Sequence, residues 1–280
     1  MIRDGKLRHH FWVCKYIFYY CIAKTNNQKN DLLLLLRMNL VVDIGNTLIK
    51  AALFESDSIV WESKTNHQNF LKSVYPIFKE YQIKNILYSA SGKVDQSIIE
   101  FFKENSNTFK FDHDTKLPFL NTYETPKTLG LDRLALVTAA YTIYPSKNVL
   151  VIDAGTCVTY DIITEKAEYL GGSISPGLVM RLKALNHYTE GLPLLSLSKA
   201  ATSPIGKNTR DAILNGVING TVYEIDQNIE SYMSDFKDLT IILTGGDQHF
   251  LSTKLKNVIF ANSKFQLLGL NSILEYLLND

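Results

Sequence analysis

From Asn39 onward, apolar positions recur in short runs of period two, and these runs are separated by stretches of period 3.6. The runs LVVDIGNT, IKAALFE and SIVWESKT predict three consecutive strands joined by tight turns. In NFLKSVYPIFKEYQ, residues Phe70, Val74, Ile77, Phe78 and Tyr81 share one face, which predicts a helix bent or interrupted at Pro76. A strand NILYSAS and a helix QSIIEFFKEN follow. GLDRLALVTAAYTIYP predicts a helix that stops before Pro145, with Ala135, Ala139 and Ala140 small enough for a neighbour to approach closely. Then the strand pattern restarts: NVLVIDAGT, VTYDIIT and EYLGGSIS again read as strand, turn, strand, turn, strand. The stretch from Asn208 to Phe236 is a long helix in which Gly216 and Gly220, four apart, mark close packing at a helix crossing or a subunit interface.

The restart is the main organisational signal. The first series carries Asp43-Ile44-Gly45-Asn46-Thr47 and the second Asp153-Ala154-Gly155-Thr156, 110 residues apart, each after an aliphatic run and before another strand. That spacing is the size of a domain and too long for a solenoid repeat. We therefore expect an α/β protein of two similar halves, 38–148 and 149–280, whose first turns face each other across a cleft.

Residues 1–37 stand apart. They hold Arg3, Lys6, Arg8, Lys15, Lys24, Lys29 and Arg37 against Asp4 and Asp31, and their apolar run from Phe11 to Ala23 is too short to span a bilayer, is broken by Lys15 and precedes no small-residue cleavage site. The expectation is a leader outside the fold, with Met38 as the natural start. The formal charge of the chain is +1, which gives no electrostatic reason to expect nucleic acid or a membrane surface. Outside the leader, Cys157 is the only cysteine, so no intrachain disulfide framework is possible there and a cytoplasmic setting is expected. His67, His113, His187 and His249 lack metal-ligand spacing, and no zinc site is expected.

The turns carry the chemistry. Backbone N–H groups in a tight glycine turn make an anion-binding concavity, and Gly45 leaves room for an oxygen to approach the main chain. Asn46 and Thr47 add uncharged donors, and Lys50 adds a positive charge to the same place. Asp43 would repel a phosphate, so its use is to hold hydrated Mg²⁺ that bridges phosphates. LTGGDQ, residues 243–248, offers bare backbone against which adenosine can lie, and LGGSISPG, residues 170–177, adds a second glycine pair; either is equally consistent with simple turn chemistry. In TLGLDRLAL, Asp132 and Arg133 open an apolar helix. Asp132 either caps that helix or takes the proton of an acceptor hydroxyl, and Arg133 either pairs with a surface carboxylate or grips an anionic acceptor or the transferring phosphoryl group.

In this order, DIGNTLIK, GLDR, DAGTCVTYD, GGSISPG and TGGD resemble the type III pantothenate kinases, of the superfamily that includes acetate kinase, sugar kinases, Hsp70 and actin. The resemblance implies two duplicated actin-like (ribonuclease H-like) domains with an ATP cleft between them, and phosphorylation of the primary hydroxyl of pantothenate on the way to coenzyme A. By position it implies that Asp43, Ile44, Gly45, Asn46, Thr47, Leu48, Ile49 and Lys50 form the ATP phosphate site, with Thr156 also on the nucleotide. Gly130, Leu131, Asp132 and Arg133 would bind pantothenate, with Asp132 as the base, Tyr123 lining the pocket and Thr209 reaching the substrate. Asp153 would be the ligand of a monovalent cation, K⁺ or NH₄⁺, used beside ATP and Mg²⁺, and the protein would be a homodimer. A non-catalytic regulatory homologue of the same fold is the alternative.

Overall fold

The computed structural model describes residues 38–92, 94–197, 205–257 and 260–280, so the expected leader lies outside the described residues. The first part of the chain gives β1 (Met38–Ile44), β2 (Ile49–Glu55), β3 (Ser58–Thr65), α1 (His67–Glu80), β4 (Ile83–Ala90), α2 (Gln96–Asn105), β5 (Asn107–Lys110), β6 (Leu120–Asn121) and α3 (Leu131–Ile143). The second gives β7 (Val149–Ala154), β8 (Cys157–Ile163), β9 (Glu168–Pro176), α4 (Leu178–His187), α5 (Thr209–Asp235), β10 (Thr240–Thr244), α6 (Gln248–Ser252), β11 (Phe260–Ala261) and α7 (Phe265–Asn279).

Two sheets result, ordered β3-β2-β1-β4-β5 and β11-β10-β7-β8-β9-β6. In the first, β1 pairs antiparallel with β2 and parallel with β4; in the second, β7 pairs antiparallel with β8 and parallel with β10. The five-strand pattern is thus repeated, with β7 in the place of β1, which is the duplicated, actin-like arrangement. Two elements cross between the halves: β6 precedes residue 148 yet pairs with β9, and α7 packs on β1 of the first sheet.

Both sheets are covered on both faces, which is why their central strands are apolar at nearly every position. On the outer face of the first sheet, Leu40, Val42, Ile44 and Leu53 meet Phe70, Val74 and Phe102 from α1 and α2. On the outer face of the second, Leu150, Ile152 and Tyr160 meet Leu178, Leu182, Ile218 and Ile225 from α4 and α5. Between the sheets lies one continuous core, in which Val41 and Leu87 from one sheet and Val149 and Val151 from the other close on α3 and α7. The small face of α3 acts as the sequence suggests: a Cβ built on Gly269 of α7 would fall 1.8 Å from the carbonyl oxygen of Ala135.

Two local expectations change. α1 runs without interruption through Pro76, which lies on the solvent face, where water can satisfy the carbonyl that proline leaves without a donor. Gly216 and Gly220 serve no helix crossing among the described residues, because a Cβ at either would meet none of their atoms within 4 Å.

Candidate active site

The parallel strands β1, β4, β7 and β10 all end at one cleft of about 1070 Å³, lined by both acidic turns, the start of α3 and the Gly245-Gly246 turn. Clefts at the carboxyl ends of parallel strands are where α/β folds bind ligands, because backbone N–H groups and loop side chains converge there. The carboxylates sit in matching registers. Asp43, next to last in β1, is flanked by Ser89 of β4 and Lys50 of β2; Asp153, next to last in β7, is flanked by Thr244 of β10 and Thr159 of β8.

Asp43 is fixed by three neighbours. Ser89 Oγ donates to Oδ1 at 3.0 Å, Gln266 Nε2 donates to Oδ2 at 3.0 Å, and Lys50 Nζ lies 4.0 Å from Oδ2. Burial pushes its pKa above the ordinary carboxylate value, with Lys50 the strongest opposing influence. Asp153 is pushed up to about 6, by burial first and by Asp132 next. Both acids therefore carry an electrostatic cost that a nearby cation would relieve. No group of three or more acidic, histidine or cysteine side chains among the described residues makes a ready metal cage. Mg²⁺ in general uses one or two carboxylates and completes its shell with water and substrate phosphates.

The glycines of the turns shape backbone. Gly45 donates its N–H to Leu48 O at 3.1 Å and Gly155 to Cys157 O at 2.8 Å, so these two amides close their turns and leave anion binding to the other N–H groups there. Ile44 and Ile49 are buried in the outer core, so only their backbone faces the turn. Gly177 donates to Thr156 O, and a Cβ there would fall 2.1 Å from Gly155 O, which explains the glycine of GGSISPG as a support beneath the second turn. Gly245 has φ +95° and a Cβ on it would strike Ala154 O and the Asp153 carboxylate, whereas Gly246 faces open space.

At the start of α3, Asp132 Oδ1 accepts the Arg133 N–H at 2.9 Å, and Gly130 is needed for that fold-back because its Cβ would lie 2.3 Å from the same oxygen. Oδ2 has no hydrogen-bond donor among the described residues and lies at the cleft wall. One oxygen caps and the other is available to take a proton, so the two readings of Asp132 are compatible.

The sequence model of the type III pantothenate kinase family matches residues 39–231. A type III pantothenate kinase of Christiangramia forsetii is 48% identical over 240 residues, covering 85% of this chain and 98% of that protein, and one of Bacteroides fragilis is 42% identical over the same length. The chain belongs to the type III pantothenate kinase family. A solved structure from Campylobacter jejuni, described as a Baf family transcriptional activator, superposes with TM-score 0.54 at 25% identity, covering 86% of this chain and all of that one.

Against the site implied for this kinase family, the cleft brings together Asp43, Gly45, Lys50, Gly130, Leu131, Asp132, Asp153 and Thr156. Arg133 is elsewhere. Its side chain is 6% exposed and bound to Asp161: Nε donates at 2.9 Å to Oδ1, and Nη2 lies 2.8 Å from Oδ1 without hydrogen-bond alignment. Tyr169 OH donates to the same oxygen at 2.7 Å. Of the two readings of Arg133, the described residues show the carboxylate pairing, with the carboxylate buried and not on the surface. Tyr123 lies behind the cleft wall, stacked on Tyr169 at 6.3 Å with Arg133 Cζ 5.7 Å from its ring centre. Thr209 is exposed at the first turn of α5 and does not line the cleft. Sequence reasoning missed Ser89, Ser91, Lys64, Lys127, Lys183 and Gln266, which do line it. Only Lys64 had a usable signal, since counting back across the β2–β3 turn places it opposite Lys50.

Proposed function

We propose that the protein is an ATP-dependent pantothenate kinase in which Asp132 is the base. The observation that carries this is the free Oδ2 of Asp132 in the same cleft as Asp43, Lys50 and Asp153. The pantothenate hydroxyl oxygen attacks the γ-phosphorus of ATP, the bond to the β–γ bridging oxygen breaks, ADP leaves, and the hydroxyl proton passes to Asp132. Because phosphoryl transfer has a loose transition state, the hydroxyl becomes acidic late, and orientation of Asp132 matters more than a raised basicity. Lys50 supplies fixed positive charge beside the phosphates. Mg²⁺, held through Asp43 with the phosphates, would neutralise charge on the nucleotide. K⁺ or NH₄⁺ would sit beside Asp153, the acid that burial and the neighbouring Asp132 push up to about 6.

The active unit in this reading is a homodimer. α5 exposes Gly216, leaves the space around Gly220 open and presents Tyr223 at 60% exposure, a surface suited to a second copy. Docking there would also give the exposed Thr209, on the same helix, a partner's cleft to reach. Among the described residues no helix is long and apolar enough to cross a membrane, and the free thiol of Cys157 suits a reducing cytoplasm.

The likeness to the Campylobacter jejuni protein keeps a regulatory, non-catalytic homologue as the second reading. ATP-dependent formation of phosphopantothenate by the purified protein, assayed with and without K⁺, decides between them. Turnover that rises with K⁺ supports the kinase, and nucleotide binding without turnover supports the regulator.

A further inference from the structure

Gln266, the second residue of α7, is the one side chain from the last helix that reaches the acidic turn of β1. Its Oε1 accepts from Lys50 Nζ at 3.0 Å while its Nε2 donates to Asp43 Oδ2 at 3.0 Å. We propose that Gln266 is a positioning residue for the nucleotide end of the cleft, holding Lys50 and Asp43 apart and oriented so that both remain available to ATP and its metal. This rests on the kinase reading and extends it to a residue outside every motif that carries the family resemblance.

Lys50 and Asp43 are cross-strand partners, and an undivided pair would close to hydrogen-bond contact at about 2.7–2.9 Å. With the carboxamide bonded to both they stand 4.0 Å apart. Lys64 adds to the need for a guide. It lies directly opposite Lys50 on β3, lines the cleft and has no hydrogen-bond or ion-pair partner among the described residues. Like charges in that register repel. The repulsion drives Lys50 towards Asp43, where the two would neutralise each other and leave less charge for phosphate and metal. Only a group with a donor and an acceptor at one tip answers both neighbours: a carboxylate would repel Asp43 and an ammonium would repel Lys50.

The mount is rigid. Phe265, the adjacent residue, is 1% exposed, and Gly269 one turn later sits against the Ala135 backbone, so α7 cannot slide to follow a wandering side chain.

The test is a double-mutant cycle on the full chain, with Gln266→Leu and Lys50→Met singly and together, read by KM for ATP, KM for pantothenate, kcat, nucleotide binding and Tm. Gln266→Leu is expected to raise the KM for ATP about tenfold, equivalent to about 1.4 kcal/mol, with the pantothenate KM and Tm little changed. In the Lys50→Met background the same substitution is expected to add clearly less, because one of its two partners is gone and no ammonium is left to hold away from Asp43. Gln266→Met, unbranched and closer in length, repeats the measurement if the leucine variant does not fold. An unchanged KM for ATP, or an equal rise in both backgrounds, would overturn the proposal. Failure of both variants to fold would assign Gln266 to stability alone and overturn it too. Wild-type protein that bound no nucleotide would instead remove the kinase reading beneath it.

Discussion

Arg133 and Asp161 form an ion pair sealed inside the protein, with side chains 6% and 0% exposed and a closest approach of 2.8 Å. The arginine of the GLDR stretch is thereby tied to β8 of the second sheet. Its charge fixes the start of α3, and with it Asp132, against that sheet. Buried pairs of this kind add little net stability over apolar packing, but removing one partner leaves an unpaired charge out of reach of water.

Asp161→Asn is therefore expected to destabilise the protein by about 3–5 kcal/mol. The shift of the urea midpoint, with the slope unchanged, measures it. A loss below about 1 kcal/mol, the surface-pair scale, would mean that Arg133 finds another partner.

Asp132→Asn retains the cap to Arg133 N–H, since the amide oxygen still accepts, but cannot take a proton. Turnover should fall roughly 10²-fold or more while the fold and nucleotide affinity persist. Steady-state kinetics alongside calorimetric nucleotide binding separate the two effects, and near-normal turnover would remove Asp132 from its role.

Gly269→Ala places a methyl against the Ala135 carbonyl, 1.8 Å from its oxygen before any adjustment. Relief requires α3 and α7 to move apart, at a cost of about 1–3 kcal/mol. A lowered Tm is the expected readout.

Gly216→Leu adds a bulky side chain where nothing lies within 4 Å in one copy. A monomer would tolerate it with little loss. If α5 joins two copies, the variant should shift the mass seen by light scattering from dimer to monomer, and an unchanged mass would move the interface elsewhere.

Glu224 on α5 carries a pH signature. Burial opposes its ionisation, but hydrogen bonds from Ser175, Arg181 and Tyr160 outweigh burial and hold its pKa below the ordinary value. A depressed carboxylate stabilises the fold above its unfolded pKa, and that contribution disappears as pH falls through the folded pKa. Wild-type protein should thus lose more stability than Glu224→Gln between pH 7 and pH 3 in chemical denaturation.

Much of this was legible because β-meanders write their period into sequence. The two Asp-x-Gly turns were found as strand ends, and the repeat placed them across one cleft. Gln266 was illegible, since nothing local in KFQLLGL shows that the helix starts beside β1, 223 residues away in the chain. Arg133 stayed open between a carboxylate partner and an anion for the same reason. Its partner Asp161 reads as one more polar residue of an alternating strand, and only the crossing of α3 over β8 buries the pair. Gly45 reads as room for an approaching oxygen, and the sequence does not show that its own amide closes the turn. A motif names residue types and does not say which of their atoms are already spent.

The sheets share a single inner core through α3 and α7. Neither half can be cut free at residue 148 without stripping an apolar sheet face, so a severed half would be a sticky, half-dressed fragment. Any opening and shutting of the cleft has to be a shallow rocking about that helical axle, and heat should dismantle the whole body in one step.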